Sequence, residues 1–308
     1  MARRAAVFAP GTIGNVGPGF DMLGLAVDGI GDTVTVELHD GPDVVEAVTG
    51  RDAAQIPRET TRNSAALAAR AFLDIHGARD ARYRMTIDKG LTLSGGMGGS
   101  AASSVAGALA AARAIGQDAS STALVRAALA GESVVSGWHI DNIAASLFGG
   151  LILVRSTEAM DVVRIPLGGD WWVALVTPEV RIETRAARAL LPETWARAEW
   201  VQQMANTAAL VHGFATGDGA LVRRSLDDRY AEPRRAALIP RFAEVKQAAL
   251  DCGALGCSIS GSGPTVFALA AASEAALRCA AAMKAAFEGT PATAHVGRVA
   301  EQGARERP

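Results

Sequence analysis

The segment that most constrains this chain is Ser94-Gly95-Gly96-Met97-Gly98-Gly99-Ser100, which runs straight into the alanine-rich stretch AASSVAGALAAARAI at 101–115. Alanine loses least on entering a helix, so 101–115 is read as a helix whose small side chains permit close packing. The glycines ahead of it let the backbone come close to a ligand. The helix start adds unpaired N–H groups and a partial positive charge. Together these suit a polyphosphate, with Ser100 available as an oxygen ligand for a Mg²⁺ bridging phosphate oxygens. The bland alternative is a glycine-rich turn into a packed helix. The segment is not a Walker A loop, because no Gly-Lys-Ser/Thr occurs in the sequence. Gly96-x-Gly98-x-x-Ala101 fits a loose dinucleotide pattern, but the next element reads as another helix, without the parallel strand and acidic residue that pattern needs.

Around this segment, residues 5–9, 33–38, 84–87, 151–154, 171–177 and 294–299 read as strands. Helical spacing marks 62–76, with Asn63 or Ser64 as its cap, and also 122–135, 141–147, 187–190, 196–214, 242–252 and 271–287. Residues 256–270 read as strand, tight turn, strand. Residues 11–25 read as a polar, glycine-rich loop, and the tail EQGARERP is expected to fray. Strands and helices mix without strict alternation, which predicts an α+β fold. A length of 308 residues allows two domains, and a composition shift near 160–170 divides them into 1–160 and 161–308.

Charge and cysteine content exclude several classes. A net charge of −2 argues against a nucleic-acid or membrane-surface partner. No apolar run approaches the roughly 18 residues of a spanning helix. The start MARRAAVFAPG has too short an apolar run for a signal peptide. Three cysteines, Cys252, Cys257 and Cys279, with no CxxC pair, suggest neither a disulfide framework nor a zinc ribbon. The expected location is the cytoplasm.

Two further segments carry chemistry. Residues 131–142, Gly-Glu-Ser-Val-Val-Ser-Gly-Trp-His-Ile-Asp-Asn, concentrate Glu132, His139, Asp141 and Asn142 around Gly137. Phosphoryl transfer needs a carboxylate for Mg²⁺, which suits Glu132, and polar groups about the attacking hydroxyl, which suit the other three. Taken alone, Glu132 reads equally as a solvated helix charge and His139 as a turn histidine. Residues 258–268, which include Ser260-Gly261-Ser262-Gly263-Pro264-Thr265, read as a hairpin loop or as backbone approaching a ligand held by the other segments.

In this order and spacing the three segments resemble the motifs of the GHMP kinases. The family's Pro-x-x-x-Gly-Leu-Gly-Ser-Ser-Ala loop stands here as residues 92–101, with Thr92, Met97 and Gly99 as departures and Ser100 retained. The resemblance is nearest to the homoserine kinase branch and covers nearly the whole chain. The branch's Ser-Ser-Ala-Asn-Leu-Gly-Pro-Gly-Phe-Asp is matched by residues 12–21, with both serines lost and Asn15 and Asp21 kept. Its His-x-Asp-Asn is His139 to Asn142, its Thr-x-x-x-Arg-x-x-Leu-Pro runs from Thr184 through Arg188 to Pro192, and its Glu-Pro-x-Arg ends on Arg235. The closing Ser-Gly-Ser-Gly-Pro-Thr is intact.

The resemblance implies a two-domain architecture with a ferredoxin-like C-terminal domain and transfer of the ATP γ-phosphoryl group to the L-homoserine hydroxyl. It implies a phosphate cradle at Gly95, Gly96, Met97, Gly98, Gly99 and Ser100, and Mg²⁺ at Ser100 and Glu132. Further nucleotide contacts are implied at Asn63, Lys89, Ser103 and Ser262. Asn15 and Asp21 would hold the substrate amino group and Arg188 and Arg235 its carboxylate, because a guanidinium fork matches a carboxylate. His139, Asn142 and Thr184 would lie about the hydroxyl, with two alternatives for its proton: Asp141 as a general base, or no dedicated base. Homodimers are common in the family, and the resemblance allows one here. The changes at Thr12, Ile13 and Gly14 keep open a different small alcohol, such as threonine or mevalonate. A non-catalytic ligand sensor on the same scaffold is the rival from another class.

Overall fold

The computed structural model describes residues 4–307. Its strands are β1 (Arg4–Gly14), β2 (Leu23–His39), β3 (Val44–Gly50), β4 (Arg82–Lys89), β5 (Leu151–Ser156), β6 (Asp161–Ile165), β7 (Trp172–Pro178), β8 (Gly256–Ile259), β9 (Val266–Ala270), β10 (Ala292–Arg298) and β11 (Arg305–Arg307). Its helices are α1 (Ser64–Ile75), α2 (Gly99–Ala114), α3 (Ser121–Glu132), α4 (Asp141–Phe148), α5 (Thr184–Ala189), α6 (Arg197–Thr216), α7 (Gly219–Ser225), α8 (Glu232–Arg235), α9 (Phe242–Asp251) and α10 (Ser273–Ala286).

One sheet runs β11-β1-β2-β4-β3. The 17-residue β2 is long enough to serve two neighbours on one side. Its second half pairs with β4, and its start, Leu23 to Leu25, pairs with β5, which carries β6. The alternating burial of β4, exposed then buried along its length, shows a sheet covered on one face. That cover is α1, α2 and α3. Thirteen of the residues of α2 are buried, most of them alanine, as befits a helix packed on all sides. Gly107 permits the closest approach, since a Cβ there would lie 2.4 Å from the Ala65 carbonyl oxygen of α1. Asn63 is the α1 cap expected from the sequence, its Oδ1 accepting from the Ala66 N–H at 3.1 Å.

The second sheet, order β10-β7-β9-β8, is antiparallel throughout. With α9 and α10 it forms the β-α-β-β-α-β succession of a ferredoxin-like domain. A separate apolar core of Val176, Val245, Phe242, Met283 and Phe287 lies beneath it. Helices α5 to α8 are inserted between β7 and α9.

Several expectations need correction. Residues 11–14 continue β1 rather than forming a loop, so the turn is confined to 15–22. Strands β3 and β6 and helices α7 and α8 had no reading, because each is short and weakly patterned. The tail does not fray: Arg305 to Arg307 pair with Phe8 to Ala6 on the open edge of β1. The chain leaves the first sheet after Ile165 and enters the second at Trp172. We place the domain division there, because a cut at 160/161 would split the β5–β6 hairpin. Among the described residues no helix is long and apolar enough to cross a membrane.

Candidate active site

The glycine-rich loop ends at Gly98, whose backbone is left-handed (φ 62°) and admits no side chain: a Cβ would lie 2.1 Å from Thr12 Oγ1. The loop's carbonyls are held from behind. Ser260 Oγ donates to the Gly96 carbonyl at 2.7 Å, Thr265 Oγ1 to that of Gly95 at 2.5 Å, and the Thr12 N–H to that of Met97 at 3.1 Å. The intact closing segment at 260–265 is therefore the loop's scaffold. The first turn of α2 cannot pair its own N–H groups and presents them beside Ser100 in the cavity. Met97 alone among the expected site residues does not line the cavity, and its side chain is buried in the core.

Behind the loop lies a charged cluster centred on Asp32, a residue that sequence reasoning missed. Asp32, fully buried in β2, pairs with Lys89 and accepts from Ser103 Oγ at 2.7 Å and from the N–H groups of Gly90 and Leu91 at 3.1 Å. The Lys89 ammonium also reaches Ser103 Oγ (2.9 Å) and the Gly99 carbonyl (3.2 Å). All three ammonium protons thus have acceptors within the protein. Lys89 and Ser103 reach the cavity as wall, and their polar groups are spent on anchoring the two ends of the phosphate loop. Asn63 gives its amide to the Pro57 carbonyl at 2.7 Å as well as capping α1. Ile56, Pro57, Ile87, Leu93 and Val135 add an apolar wall on this side, for which no motif gave a signal.

Glu132, the last residue of α3, is buried beside Ser100 and Ser136. Burial pushes its carboxyl above the usual range, and the two hydroxyls and Lys89 partly offset that. Its Oε2 is buried without a hydrogen-bond partner. A buried carboxylate oxygen without a partner, next to a serine hydroxyl at a phosphate loop, fits a Mg²⁺ held by few protein oxygens together with phosphates and waters. Among the described residues no cluster of three or more His, Cys, Asp or Glu offers a complete cage.

The opposite end of the cavity carries opposite charges. Asn15 and Asp21 both adopt left-handed backbone (φ 69° and 56°), which Asn and Asp tolerate. Asn15 Oδ1 accepts from the Asp21 N–H, and its Nδ2 donates to the Gly261 carbonyl, both at 3.1 Å. Arg188 grips Asp21 with both terminal nitrogens, at 2.9 and 2.8 Å, which holds the guanidinium above its usual range. Arg235 is buried, donating to the carbonyls of Ala187 (3.2 Å) and Gly261 (2.9 Å). Burial and the nearby Arg188 lower its pKa, yet a guanidinium stays charged. Phe20 lies between the two arginines, 5.1 and 5.4 Å from their centres. Asp228 was also unread: it accepts from Gln203 Nε2 and the N–H groups of Tyr230, Ala231 and Glu232, and so holds α8 and its Arg235.

Between these ends, α4 begins with Asp141 and Asn142. Thr12 Oγ1 donates to Asn142 Oδ1 at 2.7 Å, and Asn142 Nδ2 to Asp141 Oδ2 at 3.3 Å. Burial, with help from Asp21, raises the Asp141 carboxyl to about 7. His139 Nδ1 lies 3.6 Å from Asp21 Oδ2, and burial lowers its pKa. Thr184 Oγ1 meets Ser262 Oγ at 3.3 Å, which puts Ser262 on the acceptor side of the cavity. One cavity thus joins a glycine-rich helix start, a carboxylate–hydroxyl pair and a cluster of opposite charges.

The description "GHMP kinases N terminal domain" matches residues 63–150, and "GHMP kinases C terminal" matches 210–289. Homoserine kinase of Xanthomonas campestris pv. campestris (strain B100) is 44% identical over 289 residues, covering 93% of this chain and 88% of that protein. Homoserine kinase of Chlorobium phaeobacteroides (strain DSM 266) is 40% identical over 291 residues, 91% of each chain. The crystal structure of homoserine kinase from Cytophaga hutchinsonii matches with a TM-score of 0.94 at 38% identity, covering 100% of this chain and 98% of that one. A more distant likeness shows the fold alone: L. major mevalonate kinase in complex with R-mevalonate matches at a TM-score of 0.68 and 16% identity, covering 93% of this chain and 94% of that one. Alike in sequence over almost its full length and in both domains, the chain belongs to the homoserine kinase family of the GHMP kinases.

Proposed function

We propose that this chain transfers the γ-phosphoryl group of ATP to the side-chain hydroxyl of L-homoserine, giving O-phospho-L-homoserine and ADP. The observation that carries this is the pairing, in one cavity, of a phosphate cradle with a site bearing both an acidic and two basic arms. An amino acid presents the complementary ammonium and carboxylate. The Gly95–Ser100 backbone cradles the phosphates. Ser100 and Glu132 would hold Mg²⁺, which neutralises charge on the phosphate oxygens. Asn15 and Asp21 take the ammonium, and Arg188 and Arg235 the carboxylate. Thr184 and Asn142 orient the hydroxyl, with His139 closing that side. The hydroxyl oxygen bonds to the γ-phosphorus as the bond to the bridging oxygen breaks, and the hydroxyl proton passes to Asp141. Catalysis of this kind is mainly positioning and charge stabilisation.

Purified protein with Mg-ATP should release ADP with L-homoserine and far more slowly with L-threonine, L-serine or mevalonate. Arg235→Leu, with its fold checked by thermal unfolding, should raise the KM for homoserine by about 10–100-fold, the worth of a charged hydrogen-bonded pair. Turnover of another alcohol alone would keep the kinase and discard the substrate. Absence of turnover with any of them would favour a ligand sensor.

A further inference from the structure

Thr12 is one of the positions at which the family's opening motif is altered, and it has no part in the roles assigned above. It is buried, 1% exposed, where β1, the phosphate loop and α4 meet. The pairing of β1 with β2 slips between Pro10 and Thr12, and an irregularity of this kind re-aims the side chain beside it. Two hydrogen bonds result. The backbone N–H of Thr12 donates to the Met97 carbonyl, and its hydroxyl donates to Asn142 Oδ1 at 2.7 Å.

We propose that Thr12 is a positioning residue: its hydroxyl fixes the carboxamide of Asn142 with Nδ2 toward Asp141 and the acceptor hydroxyl, and its backbone couples that orientation to the phosphate loop. This rests on the phosphotransfer reading above. A carboxamide is nearly symmetric in shape, so only its hydrogen-bond partners decide which end faces the substrate. With Oδ1 taken by Thr12, Nδ2 has one proton for Asp141 Oδ2 and a second for the oxygen that attacks phosphorus. The surroundings are close-packed. A Cβ on Gly14 would come within 2.8 Å of both Asn142 Nδ2 and Asp141 Oδ2, and one on Gly98 within 2.1 Å of Thr12 Oγ1 and 3.0 Å of Asn142 Oδ1. Gly14 stands where the family motif has alanine and Thr12 where it has serine, so this chain keeps the hydroxyl donor and adds room beside it.

The test compares Thr12→Val, which keeps the shape and removes the donor, with Thr12→Ser, which keeps the donor. Both are made in the wild-type and Asn142→Ala backgrounds, with thermal unfolding as a fold check. In the wild-type background Thr12→Val should lower kcat by about 10–100-fold, as loss of an outer partner of a functional group does. Both KM values should stay nearly unchanged, and Thr12→Ser should keep most of kcat. In the Asn142→Ala background Thr12→Val should add no further loss. An unchanged kcat in Thr12→Val, equal damage by Thr12→Ser, or additive losses with Asn142→Ala would each overturn the proposal. Should Thr12→Val fail to fold, Thr12→Ala carries the same comparison. Wild-type turnover of homoserine in the same assay tests the reaction itself, so the two failures are told apart.

Discussion

Asp141 shows at the scale of one residue how a site costs stability. Its carboxyl is buried and its pKa is raised to about 7. Between the ordinary carboxylate range and that value the folded chain keeps a proton that the unfolded chain has lost, so stability falls as pH rises through the window. Above it the fold bears the whole penalty, on the order of 4 kcal/mol. Asp141→Asn should therefore raise the unfolding midpoint at pH 8 and leave it nearly unchanged at pH 4. The same substitution should lower kcat by about 10²–10⁴-fold if the carboxylate accepts the hydroxyl proton; retention of activity within tenfold would show that the proton leaves without a protein base. Asp141 and Asn142 were legible in the sequence because several functional groups crowd a short segment broken by glycine. Asp32 and Asp228 were not legible, since a lone aspartate in a polar–apolar alternation or after a helix looks solvent-facing. Only the fold supplies their partners, which come from distant positions such as Lys89 and Gln203. The partner of Thr12 was not legible for a related reason: Asn142 lies 130 positions away.

Among the elements, the helix behind the phosphate loop was plain from its alanines, and its glycine-rich start from composition. Sequence could not show what holds the loop in shape, because the anchors come from β2, β4 and the 260–265 turn. The Asp32–Lys89 pair is the central anchor. Asp32→Asn should leave a buried ammonium without its counter-charge and destabilise the protein by about 3–5 kcal/mol. Denaturant unfolding would measure this. In whatever fraction remains folded, the KM for ATP should rise more than that for homoserine, because the loop's ends lose their common tie. Equal rises would show that the cluster supports the whole cavity rather than the phosphate end. Strands β3 and β6 escaped notice because neither has a continuous buried face to impose a pattern, as their mixed burial shows.

For the whole molecule, the two-domain α+β arrangement was legible from the order of elements together with the family resemblance. The return of the chain end was not, because a polar tail carries no hydrophobic pattern. That end is structural. The Ala304 N–H donates to the Leu147 carbonyl, the Gly150 N–H to that of Ala300, and Arg164 reaches the Glu301 carbonyl at 2.6 Å. Removing residues 301–308 should lower the unfolding midpoint by about 2–4 °C for each kcal/mol lost, and it should loosen α4, which carries Asn142. An unchanged midpoint would mean that these contacts contribute nothing net. The pairing of β11 with β1 also bears on the order in which the protein is made. The outer edge of β1 at Ala6–Phe8 is covered by Arg305–Arg307, which are made long after it. While the chain is still on the ribosome that edge offers unpaired backbone groups to any neighbouring strand, and a product cut short before residue 305 never covers it. Closure of the first sheet thereby waits for residues 305–307.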